Sequence, residues 1–324
     1  MKNYLQLWVE HERIHRGRQP QGIDRYRRNV EMFLSWCKET GISSEASAIQ
    51  RSDIDQFMKW LYFEAGNIKN SSRRSKLFAL RSFFRFLVYQ GIIESDPTIR
   101  IPAPKTQKGV PSKFTDEELQ LLFSLPDCKS EMGVRDSAIL IVLFCTGLRV
   151  SEICGLDLKD ISDTGGYIRL RIRGKGGKLR ILPLHKINAS ILRRWLLIRY
   201  KETVQPDSPV FIRVMRGIDQ RGRLSMQSIN KILKKYGSKI GIGSAEVFVH
   251  KMRATYAINL YDISAGRCHR CNAPRAIVNI YELMHAMGHN DANTTQAYIN
   301  VSESATNKAA IPDWKMKQLG VGGV

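Results

Sequence analysis

Two arginines, two histidines, a lysine and a tyrosine stand in four short segments of this 324-residue chain. Arg149 follows an apolar run and a Thr-Gly-Leu turn, and Glu152, three residues on, can lie one helical turn away and hold it. Lys175 and Lys178 flank a glycine-rich tip that can approach a polymer backbone closely. His250 and Arg253, three apart at the start of a helical pattern, share a face. His289 follows Gly288, and Tyr298 stands nine residues further on. Each alone is ordinary: a buried arginine is most often structural, a glycine hairpin only a turn, a single histidine a core or surface residue. As a set they suit phosphodiester transfer without metal. Arginine forks bind non-bridging phosphate oxygens. A lysine can protonate a leaving oxygen and a histidine can manage the nucleophile's proton. A tyrosine hydroxyl can attack phosphorus and hold it covalently.

The elements that must position these groups fall in two parts. Apolar periodicity predicts helices over 24–39, 52–63 and 71–89. The last carries Arg73, Arg74, Lys76, Arg81 and Arg85 on a face without acids, a candidate surface for tracking phosphates. Residues 101–113, IPAPKTQKGVPSK, can be neither helix nor central strand and read as an extended basic linker. Thr115 and Glu118 then form a capping box. A buried helix is expected over 135–148, strands over 166–172 and 178–184 joined as a hairpin, and helices over 186–200, 225–240, 249–261, 274–287 and about 293–298. Tyr256, Tyr261 and Tyr281 read as packing residues.

The charge says what such a chain grips. Lys and Arg number 51 against 30 Asp and Glu, a net +21. The excess lies on both parts, which points to a long polyanion held by both, and nucleic acid is the obvious one. The longest uncharged apolar run, 137–148, is well under the ~20 residues of a membrane span, and the charged N-terminal stretch lacks a signal peptide's apolar core. A cytoplasmic, nucleoid-associated protein is expected. Cys37, Cys128, Cys145 and Cys154 stand singly and read as small packing residues rather than a disulfide framework.

At this point the chain resembles the tyrosine recombinase (phage integrase) family over nearly its whole length. The carriers are TGLRVSEICGL, RGKGGKLRILPL, HKMRATYA and MGHNDANTTQAYI, in the family's order. The resemblance implies a mainly α fold with a small antiparallel sheet, organised as a two-domain DNA clamp. A helical SAM-like core-binding domain would occupy residues 1–100, a linker 101–113, and a mixed α+β catalytic domain with a C-terminal tail 114–324. It implies that Arg149, Lys175, His250, Arg253, His289 and Tyr298 are catalytic. Glu152 would support Arg149, and Lys178 would be the second choice for the hairpin lysine. Lys175 would be the general acid on the leaving 5′-oxygen, His289 a phosphate ligand and Tyr298 the nucleophile. The reaction implied is DNA strand exchange through a 3′-phosphotyrosine, with no cofactor because the ester conserves the bond energy. The protomers would act as a homo-tetramer on two double-stranded DNA sites, a dimer per site, with accessory directionality factors. Integration or excision of a mobile element and chromosome resolution both fit. The tail, from Val301 to Val324, would dock on a neighbouring protomer or on its own domain.

Two departures stand out. Met252-Arg253-Ala254 replaces the family's usual Leu-Arg-His, with the arginine kept. Arg253 and His289 are 36 residues apart, longer than the family pattern, the extra length lying around 264–275. There Cys268 and Cys271 with His285 and His289 spell Cys-x2-Cys-x13-His-x3-His, a zinc spacing. Zinc through these four, zinc through the cysteines with His269, and a basic loop placing Arg267, Arg270 and Arg275 near DNA are the three readings. A type IB topoisomerase, a catalytically silent DNA-binding regulator and a zinc-dependent DNA-binding protein are the competing functions.

Overall fold

The computed structural model describes residues 1–18, 20–43, 45–66, 68–106, 112–174, 177–201, 204–214, 222–243, 249–262, 280–288 and 295. The chain divides into two compact units, residues 1–109 and 110–324.

The first unit is helical: α1 (Lys2–Ile14), α2 (Pro20–Glu39), α3 (Arg51–Phe63) and α4 (Asn70–Tyr89). Its core joins Trp8 of α1, Val30 and Phe33 of α2, Ile54 and Phe57 of α3, and Leu80, Phe83 and Phe84 of α4. Trp8 meets Phe83 edge to face, with ring centroids 5.6 Å apart, the geometry aromatic quadrupoles favour. Periodicity did not announce α1. The reason is Glu12, one helical turn beyond Trp8, which is buried and charged where the pattern wants an apolar residue. It is paired there, its Oε1 accepting from Ser82 Oγ at 2.8 Å and its Oε2 standing 2.6 Å from the Arg18 guanidinium.

The second unit contains α5 (Asp116–Ser124), α6 (Glu131–Thr146), α7 (Val150–Cys154), β1 (Ile161–Asp163), β2 (Tyr167–Arg173), β3 (Leu179–His185), α8 (Lys186–Arg199), α9 (Met226–Lys239), α10 (Val249–Asp262) and α11 (Ile280–Met287). The three strands form one antiparallel sheet in the order β1-β2-β3. Register pairs Ile168 with Leu184, Leu170 with Leu182 and Ile172 with Arg180. Alternation therefore buries Ile168, Leu170, Ile172, Leu182 and Leu184 while Arg169, Arg171 and Arg173 face out. The mainly helical architecture with one small antiparallel sheet is the expected fold class. Strand β1 was not expected, because three residues are too short for a period to show. Helix α5 starts on the expected capping box, with Glu118 N donating to Thr115 Oγ1 and Thr115 N donating to Glu118 Oε2.

Helix α6 is apolar on nearly every side and buried almost throughout, as the innermost helix of a domain must be. It starts four residues before the expected position and ends at Thr146, so Leu148 lies beyond it. Two smaller expectations fail. Tyr281 is 73% exposed rather than packed, and Cys128 is exposed while Cys37 and Cys145 are buried. Among the described residues, no helix is long and apolar enough to cross a membrane.

Candidate active site

Gly147 ends α6 in the left-handed conformation, φ +59°, and turns the chain into α7, whose N-cap is Arg149. Glu152 closes this cap twice. Its Oε2 accepts the Arg149 backbone N–H at 2.8 Å, and its Oε1 accepts Nη1 of the Arg149 side chain at 2.9 Å. The expected three-residue pairing is thus also a helix cap. Nη2 of Arg149 donates to the carbonyl of Gly288 at 2.8 Å. Arg149 is tied down on one side while about a third of its side chain stays open to water.

Arg253 comes from α10 and is almost fully buried. It donates to the carbonyls of Gly147 and Met287. Both arginines therefore reach the same place, the end of α11 and the turn at Gly288, one from the cap of α7 and the other from α10. A buried guanidinium needs such partners, since an unpaired charge there costs several kcal/mol. His250, one turn before Arg253, is largely exposed by area. Its imidazole is held below the ordinary histidine value, first by partial desolvation against the protein and then by the positive charges of Arg253 and Arg149. The two arginines are the firmer cause, because hydrogen bonds fix them in place. The imidazole is neutral near neutral pH and able to accept a proton.

Glu152 is the electrostatic centre. Burial pushes its carboxyl up, but hydrogen bonds and charge from Arg180 and Arg149 outweigh that and leave it below the ordinary carboxylate value. Arg180 did not stand out in the sequence. It lies on the inner face of β3 and grips both carboxylate oxygens of Glu152, at 3.0 and 2.9 Å. The signal was there: positions 180, 182 and 184 point inward together, and a charge in that row needs a reason.

Helix α10 is anchored at its first turns. Thr255 Oγ1 accepts the backbone N–H of Phe114 at 2.9 Å, and the Lys251 ammonium stands 4.5 Å from the Phe114 ring centroid and 3.9 Å from Glu118. The stretch entering the second unit is thus bound to the helix bearing His250 and Arg253.

The structure brings Arg149, Glu152, His250 and Arg253 together. Lys178 is exposed beside the hairpin tip, where Gly174 N donates to its carbonyl at 2.7 Å. Lys175, His289 and Tyr298 lie outside the described residues. So do His269, Cys268, Cys271, the stretch 264–275, the tail 301–324, and all of the helix expected over 293–298 except Thr295. His285 is exposed on α11, and among the described residues no three His, Cys, Asp or Glu side chains gather as a metal site.

In the first unit, the basic face of α4 is half engaged. Arg81 donates to the Ile101 carbonyl at 2.6 Å and Arg74 to that of Pro104 at 3.3 Å, so both strap the following segment to the helix. Arg73 lies over the Tyr62 ring and bonds Asn70. Arg85 is exposed, 4.0 Å from Asp96. Burial holds the Lys76 ammonium below its ordinary value.

The comparisons with known proteins agree with one another. The model of the phage integrase family matches residues 113–305, and that of the N-terminal SAM-like domain of phage integrases matches residues 5–91. Tyrosine recombinase XerC of Oceanobacillus iheyensis is 30% identical over 309 residues, 94% of each chain. Tyrosine recombinase XerD of Listeria monocytogenes is 29% identical over 293 residues, 90% of this chain and 91% of that one. Among solved structures, the XerH site-specific recombinase bound to a palindromic difH substrate, in a post-cleavage complex, superposes with a TM-score of 0.68 at 20% identity. The match covers 87% of this chain and 77% of that one. A lambda integrase dimer bound to a COC′ core site gives 0.65 at 18% identity, over 96% and 99% of the two chains.

Proposed function

Because the chain belongs to the phage integrase family and is a site-specific tyrosine recombinase, we propose that it exchanges DNA strands through a 3′-phosphotyrosine on Tyr298. The observation that carries this reading is the convergence of Arg149 and Arg253 on the end of α11 and the Gly288 turn, with His250 one helical turn from Arg253.

The two guanidinium groups bind the non-bridging oxygens of the scissile phosphate and offset the charge that builds on them. Tyr298 Oη attacks phosphorus, and His250 takes its proton. The bond to the 5′-oxygen breaks, and Lys175 protonates that oxygen as it leaves. His289 donates to the phosphate. The 5′-hydroxyl of the partner strand reverses the step, releasing Tyr298, so one P–O bond is exchanged for another and no cofactor enters.

The DNA is double-stranded, and the net charge of +21 suits it. Arg73, Arg74, Lys76, Arg81 and Arg85 lie along its phosphates, and both units contact it. Two protomers occupy each site and four act on two sites. Support for this comes from the lambda integrase tetramer bound to a Holliday junction, a fold relative at TM-score 0.62 and 16% identity. The protein works in the cytoplasm on the nucleoid, with accessory factors setting direction.

A plasmid carrying two copies of the DNA site, taken from the flanks of the gene, tests the reading. Excision or inversion products are expected without added metal. Relaxation without recombinants would transfer the protein to the topoisomerase reading, and binding with neither product to the regulator reading.

A further inference from the structure

Arg180 touches three segments at once. Its fork holds both oxygens of Glu152, the acid that fixes Arg149. A β-carbon built on Gly174 would stand 3.3 Å from its Nη1, and one built on Gly288 would stand 2.8 Å from the same atom. Gly174 directly precedes Lys175, and Gly288 directly precedes His289. The acid that holds Arg149 and the glycines directly before Lys175 and His289 therefore all lie close to one guanidinium.

Stability alone is a poor reason for that residue. It is almost fully buried on the apolar face of β3, and its Nε finds no hydrogen-bond partner among the described residues. Buried ion pairs are often replaceable by well-packed apolar side chains at no loss. The charge balance gives a better reason. Paired with Arg149 alone, Glu152 would draw that guanidinium toward itself and neutralise it. With Arg180 spanning both oxygens, the carboxylate is already matched, and Arg149 keeps its charge for a phosphate.

We propose that Arg180 is a positioning residue for strand cleavage: by holding both oxygens of Glu152 it sets Arg149. This rests on the tyrosine recombinase reading of the site. Arg180 is almost fully buried, so it does not contact DNA.

The test uses the full chain and a nicked suicide duplex carrying its site, with single-turnover formation of the covalent adduct as the rate. Arg180→Met is expected to bind the duplex as the wild type does and to form adduct ~10- to 100-fold more slowly, the scale of a small misplacement of reacting groups. It should also gain a second acid limb in its pH profile, beyond the one set by His250. Without Arg180, Glu152 loses that residue's hydrogen bonds and charge while its burial remains, so it takes up a proton at higher pH. In the Glu152→Gln background, Arg180→Met should slow the reaction little further and show no such limb. Cleavage by Arg180→Met at the wild-type rate and pH profile would overturn the proposal, as would slowing that adds in full to that of Glu152→Gln. Slowing that disappears once the rate is expressed per folded molecule would overturn it too. Where Arg180→Met melts below the assay temperature, Arg180→Lys carries the test: it keeps the charge but not the fork. A reduced rate at wild-type melting supports the proposal, and a wild-type rate contradicts it. No adduct from the wild type on a verified site would remove the recombinase reading itself, and this proposal with it.

Discussion

Gly147 lies so close to the ring of Tyr256 that a β-carbon on it would stand 2.3 Å from Cδ1. Tyr256 is fully buried in α10, one turn beyond Arg253. The turn that presents Arg149 is thus seated directly on the helix that presents Arg253. Gly147→Ala meets two penalties there, the left-handed φ, about 1–2 kcal/mol for a residue with a β-carbon, and the displaced ring. The expected result is a lower melting temperature together with loss of adduct formation, measured by thermal melts and suicide-substrate cleavage. Wild-type values in both would mean that the two helices are not locked at this point.

Arg149→Lys keeps the positive charge but gives up the fork that spans Glu152 and Gly288. About 3 kcal/mol of transition-state stabilisation should go, a ~100-fold slower cleavage, with DNA affinity changed far less. Equal losses in binding and in cleavage rate would show that Arg149 acts on the bound substrate before the transition state as much as within it.

Much of this arrangement is legible in the sequence, and the rest is hidden for identifiable reasons. Arg149 and Glu152 pair three residues apart on one helical turn, so spacing alone reveals them. His250 and Arg253 share a helix face in the same way. Arg180 sits 28 residues from Glu152, and only the tertiary fold brings strand β3 to α7. Glu12 concealed α1, because a paired buried acid looks in sequence like a break in the pattern. Arg135 and Asp136 inside α6 are similar: Asp136 takes Arg135 at 2.6 Å and Tyr236 Oη at 2.8 Å, from a helix 100 residues away. Tyr281 reads as a packing residue because it does not stand at the motif's offset from a Gly-His pair, but it falls on the exposed side of α11.

His250 gives a pH dependence. In the proposed reaction the imidazole must be neutral to accept the Tyr298 proton, so cleavage should fall on the acid side with a midpoint below the ordinary histidine value. An NMR titration of His250 in Tyr298→Phe checks the same number without turnover. A midpoint at or above the ordinary value would mean that the charges of Arg253 and Arg149 do not reach the ring.

Thr255→Val removes the acceptor for the buried Phe114 N–H while keeping the shape. An unsatisfied buried donor costs about 1–3 kcal/mol, so the melting temperature should drop. Loss of the anchor on α10 should slow cleavage as well. A variant as stable and as fast as the wild type would show that this bond carries no weight.

Arg193 grips Asp163 with two bonds, 2.6 and 2.7 Å long, fastening α8 to the turn between β1 and β2. The guanidinium bonds, helped by the Gly165 N–H, hold the Asp163 carboxyl down to about 2, from an ordinary 3.8. The folded value is the lower one, so the stabilisation is present above the ordinary value and fades as pH falls toward about 2. Asp163 keeps 39% of its side chain exposed, so solvent screening limits the gain to about 1 kcal/mol or less. Asp163→Asn should melt lower than the wild type at neutral pH, and the gap should close in acid. A gap that persists there would assign the effect to packing instead of charge.

The central claim is covalent chemistry on Tyr298, and trapping tests it most directly. Wild-type protein on a nicked suicide duplex, with EDTA present, should yield a protein–DNA adduct that maps by peptide mass to Tyr298 joined to a 3′-phosphate. Tyr298→Phe should bind the same duplex and yield none. An adduct on another residue, an adduct that persists in Tyr298→Phe, or its loss on chelation would contradict the account.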